Sequence, residues 1–143
     1  MKRLCTFHLG GMVLALPADD VREVIRHETP TPVPLAPEGV VGLINLRGEI
    51  ATVVDVARRL GREPAPRAPG IGLVLRGPRG TLTLRADRAG DVLEADERSF
   101  EPPPETLRGA ARSLTLGTYK IRDALVLLLD ADRILDADLG AAR

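Results

Sequence analysis

The sequence predicts an all-β domain, a sandwich or barrel of short strands, and three observations carry that prediction. About nine or ten runs of β-branched and aliphatic residues recur at the even spacing of such folds. Turn residues punctuate them at Gly10-Gly11, Arg47-Gly48, Gly77-Pro78-Arg79-Gly80 and Arg122-Asp123. Two runs, residues 12–16 and 125–129, are apolar on both faces, as a strand covered from both sides must be. A chain of 143 residues is enough for one ordinary domain with a real core.

Taken in order, residues 3–9 alternate, with Cys5, Phe7 and Leu9 against Leu4, Thr6 and His8, and predict a strand covered mainly on one side. Cys5 reads as core packing, because no base neighbours it in the sequence. After the Gly10-Gly11 turn comes the doubly apolar run 12–16. Pro17-Ala18-Asp19-Asp20 then breaks the chain as a single helical turn capped by its acids. The strand 21–27 places Val21, Glu23 and Ile25 on one side and Arg22, Val24 and Arg26 on the other. Glu23 thus shares a face with two aliphatic residues and needs a charged or hydrogen-bonding partner. The prolines at 30, 32 and 34 make an extended connector.

The centre of the chain is a hairpin, residues 40–46 and 50–54 around Arg47-Gly48-Glu49. Asn45 and Arg47 are its strongly polar side chains, and residues two apart in a strand share a face. Asp55, the basic pair Arg58-Arg59 and Gly61 have the grammar of a two-turn helix. The proline- and arginine-rich stretch 61–70 is the expected boundary between two sub-barrels. Strands follow at 71–76, 81–86 and 91–95, the triple proline 102–104 ends that sheet, and 114–121 with 125–129 form a second hairpin. Asp130 caps a terminal helix running toward Gly140.

Composition narrows function. The 20 basic and 20 acidic residues cancel, and Phe7, Phe100 and Tyr119 are the aromatics, so neither a polyanion-binding field nor a base-stacking platform is present. The arginines at 58, 59, 62 and 67 read as a solvated face. One cysteine excludes an internal disulfide, the start Met-Lys-Arg-Leu-Cys lacks the apolar run of a signal peptide, and no run is long enough to span a bilayer. A cytoplasmic protein without direct membrane insertion is expected. No phosphate-cradling loop or serine elbow is present, His8 and His27 lack ligand-spaced partners, and Asp19, Asp20 and Glu23 lack metal-loop grammar. The sequence therefore predicts no enzyme, cofactor or metal site. A small β-barrel enzyme or ligand carrier with dispersed site residues is the reading of a different class.

One resemblance is specific. Pro34-x-Ala36-Pro37-x-x-Val40-x-Gly42-Leu43-Ile44-Asn45-Leu46-Arg47-Gly48, then Val53-Val54-Asp55 and Leu60-Gly61, resembles the signature of the CheW family of chemotaxis adaptors. Val21-Arg22-Glu23-Val24-Ile25 and Leu127-Leu128-Leu129-Asp130 extend the likeness both ways, with a sparser match at Ala86-Asp87-x-x-x-Asp91-Val92. Thr52 departs from it, standing where the family commonly has proline.

The resemblance implies a single domain over 1–143 of two packed SH3-like five-stranded barrels, with short helices near 55–60 and 131–139. The expected sub-barrels span about 14–66 and 70–125, with terminal strands crossing between them, and runs 12–16 and 125–129 at the wall between them. It implies an adaptor recruited to receptor arrays through chemoreceptor tips and the regulatory domain of a CheA-type histidine kinase, with other CheW-like domains as further partners. It also implies an ion pair of Glu23 with Arg47, either structural or receptor-binding. The binding surface is expected at Val24, Val41, Leu43 and Asn45, with Gly42 and Gly48 as turn glycines. An accessory adaptor that binds one partner, or serves an array controlling pili or gliding, is the narrower alternative.

Overall fold

The computed structural model describes residues 1–37, 39–62, 70–77 and 80–134. Its ten strands are β1 (Lys2–Leu9), β2 (Met12–Pro17), β3 (Glu23–Arg26), β4 (Val40–Leu46), β5 (Glu49–Asp55), β6 (Ile71–Gly77), β7 (Gly80–Ala86), β8 (Arg88–Ala95), β9 (Thr115–Ile121) and β10 (Ala124–Leu129). The helices are short: α1 (Val56–Arg59), α2 (Gly109–Ser113), two 3₁₀ turns at Ala18–Asp20 and Glu97–Ser99, and residues 131–134. The fold is all-β, as expected.

The strands form two five-stranded sheets, ordered β8-β1-β2-β10-β9 and β3-β6-β7-β5-β4. Each sheet is drawn into a barrel by one extra pairing. In the central barrel, β3 to β7, Thr31 exchanges backbone hydrogen bonds with Leu43 of β4 at 2.8 and 2.9 Å. In the terminal barrel, built from both chain ends, Glu101 and Thr118 of β9 do the same at 3.0 and 2.8 Å. Such closure satisfies backbone groups that an open edge would expose.

Three apolar clusters follow from this architecture. The largest lies between the barrels, where Phe7, Leu14, Leu16, Leu127 and Leu129 meet Val54, Leu73, Leu75, Leu82 and Leu84. The opposite faces fill the barrel interiors: Leu4, Ala15, Tyr119, Val126 and Leu128 in the terminal barrel, and Ile44, Ala51 and Val53 in the central one. Strands β2 and β10 line the wall side by side in parallel and divide their side chains between the wall and the terminal barrel's interior. This is the physical reason their runs are apolar on both faces. Leu125 alone in its run is exposed.

Several expectations need correction. Strand β1 is buried on both faces, because it lies inside its sheet between β8 and β2 and its alternation serves two apolar layers. Asp19 and Asp20 lie within the 3₁₀ turn and cap nothing; the turn begins at Pro17 without a side-chain cap. The stretch around 61–70 is no boundary between barrels, since β6 and β7 beyond it join β3, β4 and β5 in one sheet. The central barrel therefore spans residues 23–86, with β1, β2 and β8–β10 making the other. Two elements were not anticipated, α2 and the Glu97–Ser99 turn, each only about one turn long. Asp55 caps α1 by accepting from the Ala57 and Arg58 amides, and Asp130 accepts from the Arg133 amide over residues 131–134. The expected helix beyond 134, Pro78-Arg79 and Arg67 lie outside the described residues.

Gly42 is not a turn residue. It lies inside β4 beside a bulge, where an added Cβ would stand 2.3 Å from the Thr31 carbonyl oxygen at the barrel closure. Gly117 occupies the matching place in β9, with the Phe100 ring at 2.3 Å and the Glu101 carbonyl oxygen at 2.5 Å from a would-be Cβ. Gly48 is the true turn glycine, at φ +85° with open space around it. Urea unfolding should rank these positions: Gly42→Ala and Gly117→Ala should each cost about 2 kcal/mol or more through overpacking against backbone. Gly48→Ala should cost about 1 kcal/mol, from backbone strain alone.

Candidate functional site

The site grows from the β4–β5 hairpin. Its tip is a two-residue turn in which both Arg47 (φ 54°) and Gly48 (φ 85°) adopt the left-handed backbone that matches the twist of paired strands. Arginine is strained there, and the neighbouring Asn45 offsets this by accepting the Gly48 amide on its Oδ1 at 2.8 Å. Asn45 thus works as a turn brace. The expectation that Asn45 and Arg47 share a strand face fails, because Arg47 lies in the turn.

The turn aims Arg47 at β3. Its Nη1 and Nη2 donate to Glu23 Oε2 and Oε1 at 2.6 and 2.5 Å, a two-pronged bond that joins the barrel's outermost strands across its end. Only a planar guanidinium fits a carboxylate this way. The bonds from Arg47 hold the Glu23 carboxyl below its ordinary value, and the same bonds push Arg47 up. The pair is less shielded than expected: the Arg47 side chain is 70% exposed and that of Glu23 28%.

A second polar group closes the same end. Thr81 Oγ1 donates to Glu49 Oε1 at 2.6 Å, and Arg22 Nη1 lies 3.5 Å from Thr81 Oγ1 and 3.8 Å from Glu49 Oε1. Residues at the starts of β5 and β7 and just before β3 are thereby tied together. Glu49 and Thr81 were not singled out in the sequence, where each is one polar residue beside a glycine.

The expected surface residues divide. Val24 is 43% exposed on β3 and points away from Glu23 by strand alternation. Leu43 and Asn45 lie on the outer face of the hairpin, opposite Thr52 and Ile50. Ile50, 60% exposed, belongs with them and was missed. Val41 is half-buried and packs against Ile44, Ala51 and Val53, so much of it serves the barrel interior. Cys5 is buried, and burial pushes its thiol up. Among the described residues no His, Cys, Asp and Glu group could hold a metal, and no helix is long and apolar enough to cross a membrane.

The depressed Glu23 carboxyl sets a pH dependence. A carboxylate whose folded pKa lies below its unfolded value adds stability above the unfolded value, about 4.5 here, and loses it as pH falls through the folded one. Comparing wild type with Arg47→Ala by thermal melting at a series of pH values should show a gap near neutrality that closes below about pH 4.

The comparisons with known proteins agree with this geometry. The CheW-like domain family matches residues 3–139. The chain is 28% identical over 138 residues to "Chemotaxis protein CheW" of Rhizobium meliloti, covering 96% of this chain and 89% of that one. It is 29% identical over 131 residues to the protein of the same name from Thermotoga maritima, at 92% and 85% coverage. Among solved structures, the scaffolding protein TtCheW from Thermoanaerobacter tengcongensis superposes with a TM-score of 0.82 at 27% identity, over 93% of this chain and 86% of that one. A pair of SH3-like barrels closed as described, matched along nearly its whole length, belongs to the CheW-like domain family of chemotaxis adaptors.

Proposed function

We propose that this chain is a non-catalytic adaptor that couples the cytoplasmic tips of chemoreceptors to the regulatory domain of a CheA-type histidine kinase, recruited from the cytoplasm to receptor arrays. The observation that carries the reading is the Glu23–Arg47 pair, two hydrogen bonds fixing a hairpin whose outer face carries the exposed Ile50 and the half-buried Leu43. A rigid, partly apolar hairpin is a surface for another protein: its order is already in place, so binding need not supply it.

In this reading Val24, Leu43, Asn45 and Ile50 meet the receptor, with the exposed edge of Val41 at the margin. The Glu23–Arg47 pair presents that surface. The kinase's regulatory domain, and other CheW-like domains, meet a barrel end. Heterologous contacts of that kind can propagate into rings.

Pull-down against a receptor signalling tip and a kinase regulatory domain tests the reading. Both should be captured by the wild-type chain. A folded Arg47→Ala variant should lose receptor capture while keeping the kinase; parallel loss of both, together with a lowered melting temperature, would make the pair a structural clip only. Capture of one partner by the wild type would make the chain an accessory adaptor, and capture of neither would overturn the proposal. Ile50→Asp, on the outer face, should weaken receptor capture about tenfold or more, as burying an unpaired charge does.

A further inference from the structure

The interior of the central barrel is apolar at its middle and charged at the end away from the hairpin tip. The registers align Ile25 of β3 with Gly72 of β6, Gly72 with Arg85 of β7, and Arg85 with Asp55 of β5, so these positions share the inner face. Ile25 and Val53 belong to the apolar cluster at the barrel's heart. Two residues beyond Ile25, Val53 and Thr83, on the same face of three strands that run the same way, come His27, Asp55 and Arg85.

Asp55 and Arg85 are charged and yet buried, at 4% and 7% exposure. Arg85 Nη1 lies 4.0 Å from Asp55 Oδ2, while Asp55 Oδ1 accepts the Ala57 and Arg58 amides of α1. Strand β6 makes room for the guanidinium with a glycine on its approach. A Cβ on Gly70 would stand 3.3 Å from Arg85 Nη2 and 2.8 Å from the Ala86 carbonyl oxygen. The Gly70 carbonyl accepts the His27 amide at 3.3 Å, carrying the β3–β6 ladder past Arg26.

His27 is therefore the half-buried member of a charged cluster. Among the described residues it is faced by Arg85 from β7 and Asp55 from β5, with the exposed Glu28 next to it in the chain; β6 meets it with glycine, which carries no charge. Burial and the Arg85 guanidinium hold its imidazole below the ordinary value, against a smaller opposing pull from the Asp55 and Glu28 carboxylates. Strand β3 is at the edge of its sheet, paired to β6. Its start is clipped by Glu23–Arg47, and its end is joined to β6 at His27 and Gly70.

We infer that His27 is an acid-sensitive latch on β3: neutral, it closes the charged end of the central barrel; protonated, it sets a second cation beside the buried Arg85 guanidinium and releases the His27–Gly70 end of the strand. A histidine whose folded pKa lies below its unfolded value, 6.5, leaves the fold at full stability above 6.5, and stability falls as pH drops from there through the folded value. The Glu23 carboxyl, held below its ordinary 4.5, is still ionised at the start of that fall, so the hairpin end of β3 stays clipped while the far end loosens. Val24 rides on the same strand, and a loosened surface for the receptor is a consequence that rests on the adaptor reading; the latch itself does not.

NMR of the full chain tests it without a partner. The His27 ring should titrate below 6.5. Protection of the His27 amide from hydrogen exchange, corrected for the intrinsic rate, should fall severalfold between about pH 7.5 and about 5.5, while the Arg22 amide, bonded to Val74 at the other end of β3, and the Thr31 amide keep theirs. His27→Gln, neutral at every pH, should hold its His27-position amide protection flat across that range. Glu28→Gln, at an exposed side chain, should lower the ring's titration point and deepen the loss of protection; it and the wild-type chain decide the question should His27→Gln fail to fold. A His27 ring titrating at or above 6.5, protection indifferent to pH, parallel loss at all three amides, or an acid loss that persists in His27→Gln would overturn the inference and leave the adaptor reading untouched.

Discussion

The apolar wall between the barrels is the constraint on which the rest depends. A five-stranded barrel of this size encloses only a few side chains, Ile44, Ala51 and Val53 at the heart of the central one, too little apolar area to hold an independent domain. Stability has to come from the outer faces of β2, β10, β5, β6 and β7, which meet as one continuous layer. Because β1 and β2 come from the start of the chain and β10 from near its end, the wall also binds the two ends of the sequence together.

That arrangement frees the barrel ends. Residues at the strand starts and hairpin tips are not needed by the wall, so charge and hydrogen bonding can be spent there on recognition. One end of the central barrel is closed by Glu23–Arg47 and the Arg22–Thr81–Glu49 group.

Glycine placement shows how far local rules reach. Gly48 was legible as a turn residue, since the left-handed backbone of a two-residue hairpin calls for it. Gly42 carries no such local mark. Its requirement comes from the Thr31 carbonyl, brought against β4 by the closing of the barrel, and the same holds for Gly117 against Phe100 and Glu101. The duplication of the two barrels was equally hidden. Identity between the copies is confined to points such as Gly42 and Gly117, Arg47 and Arg122, and Asp55 and Asp130, and it emerges only when strand registers are compared.

The sequence by itself determined the strands, because period-two alternation and turn residues act within a few positions of one another; it determined the β4–β5 hairpin, the caps at Asp55 and Asp130, and the need of Glu23 for a partner. The resemblance to CheW-like domains named that partner as Arg47. Tertiary structure alone decided which strands share a barrel, placing β6 and β7 with β3 and joining β1 and β2 to the chain's end, since pairing between distant segments leaves no trace in local pattern. It alone decided that β1 is covered twice and that Val41 turns partly inward and Ile50 outward. Each depends on what lies across a gap in space, and a side chain's exposure is set by neighbours as far off in sequence as most of the chain.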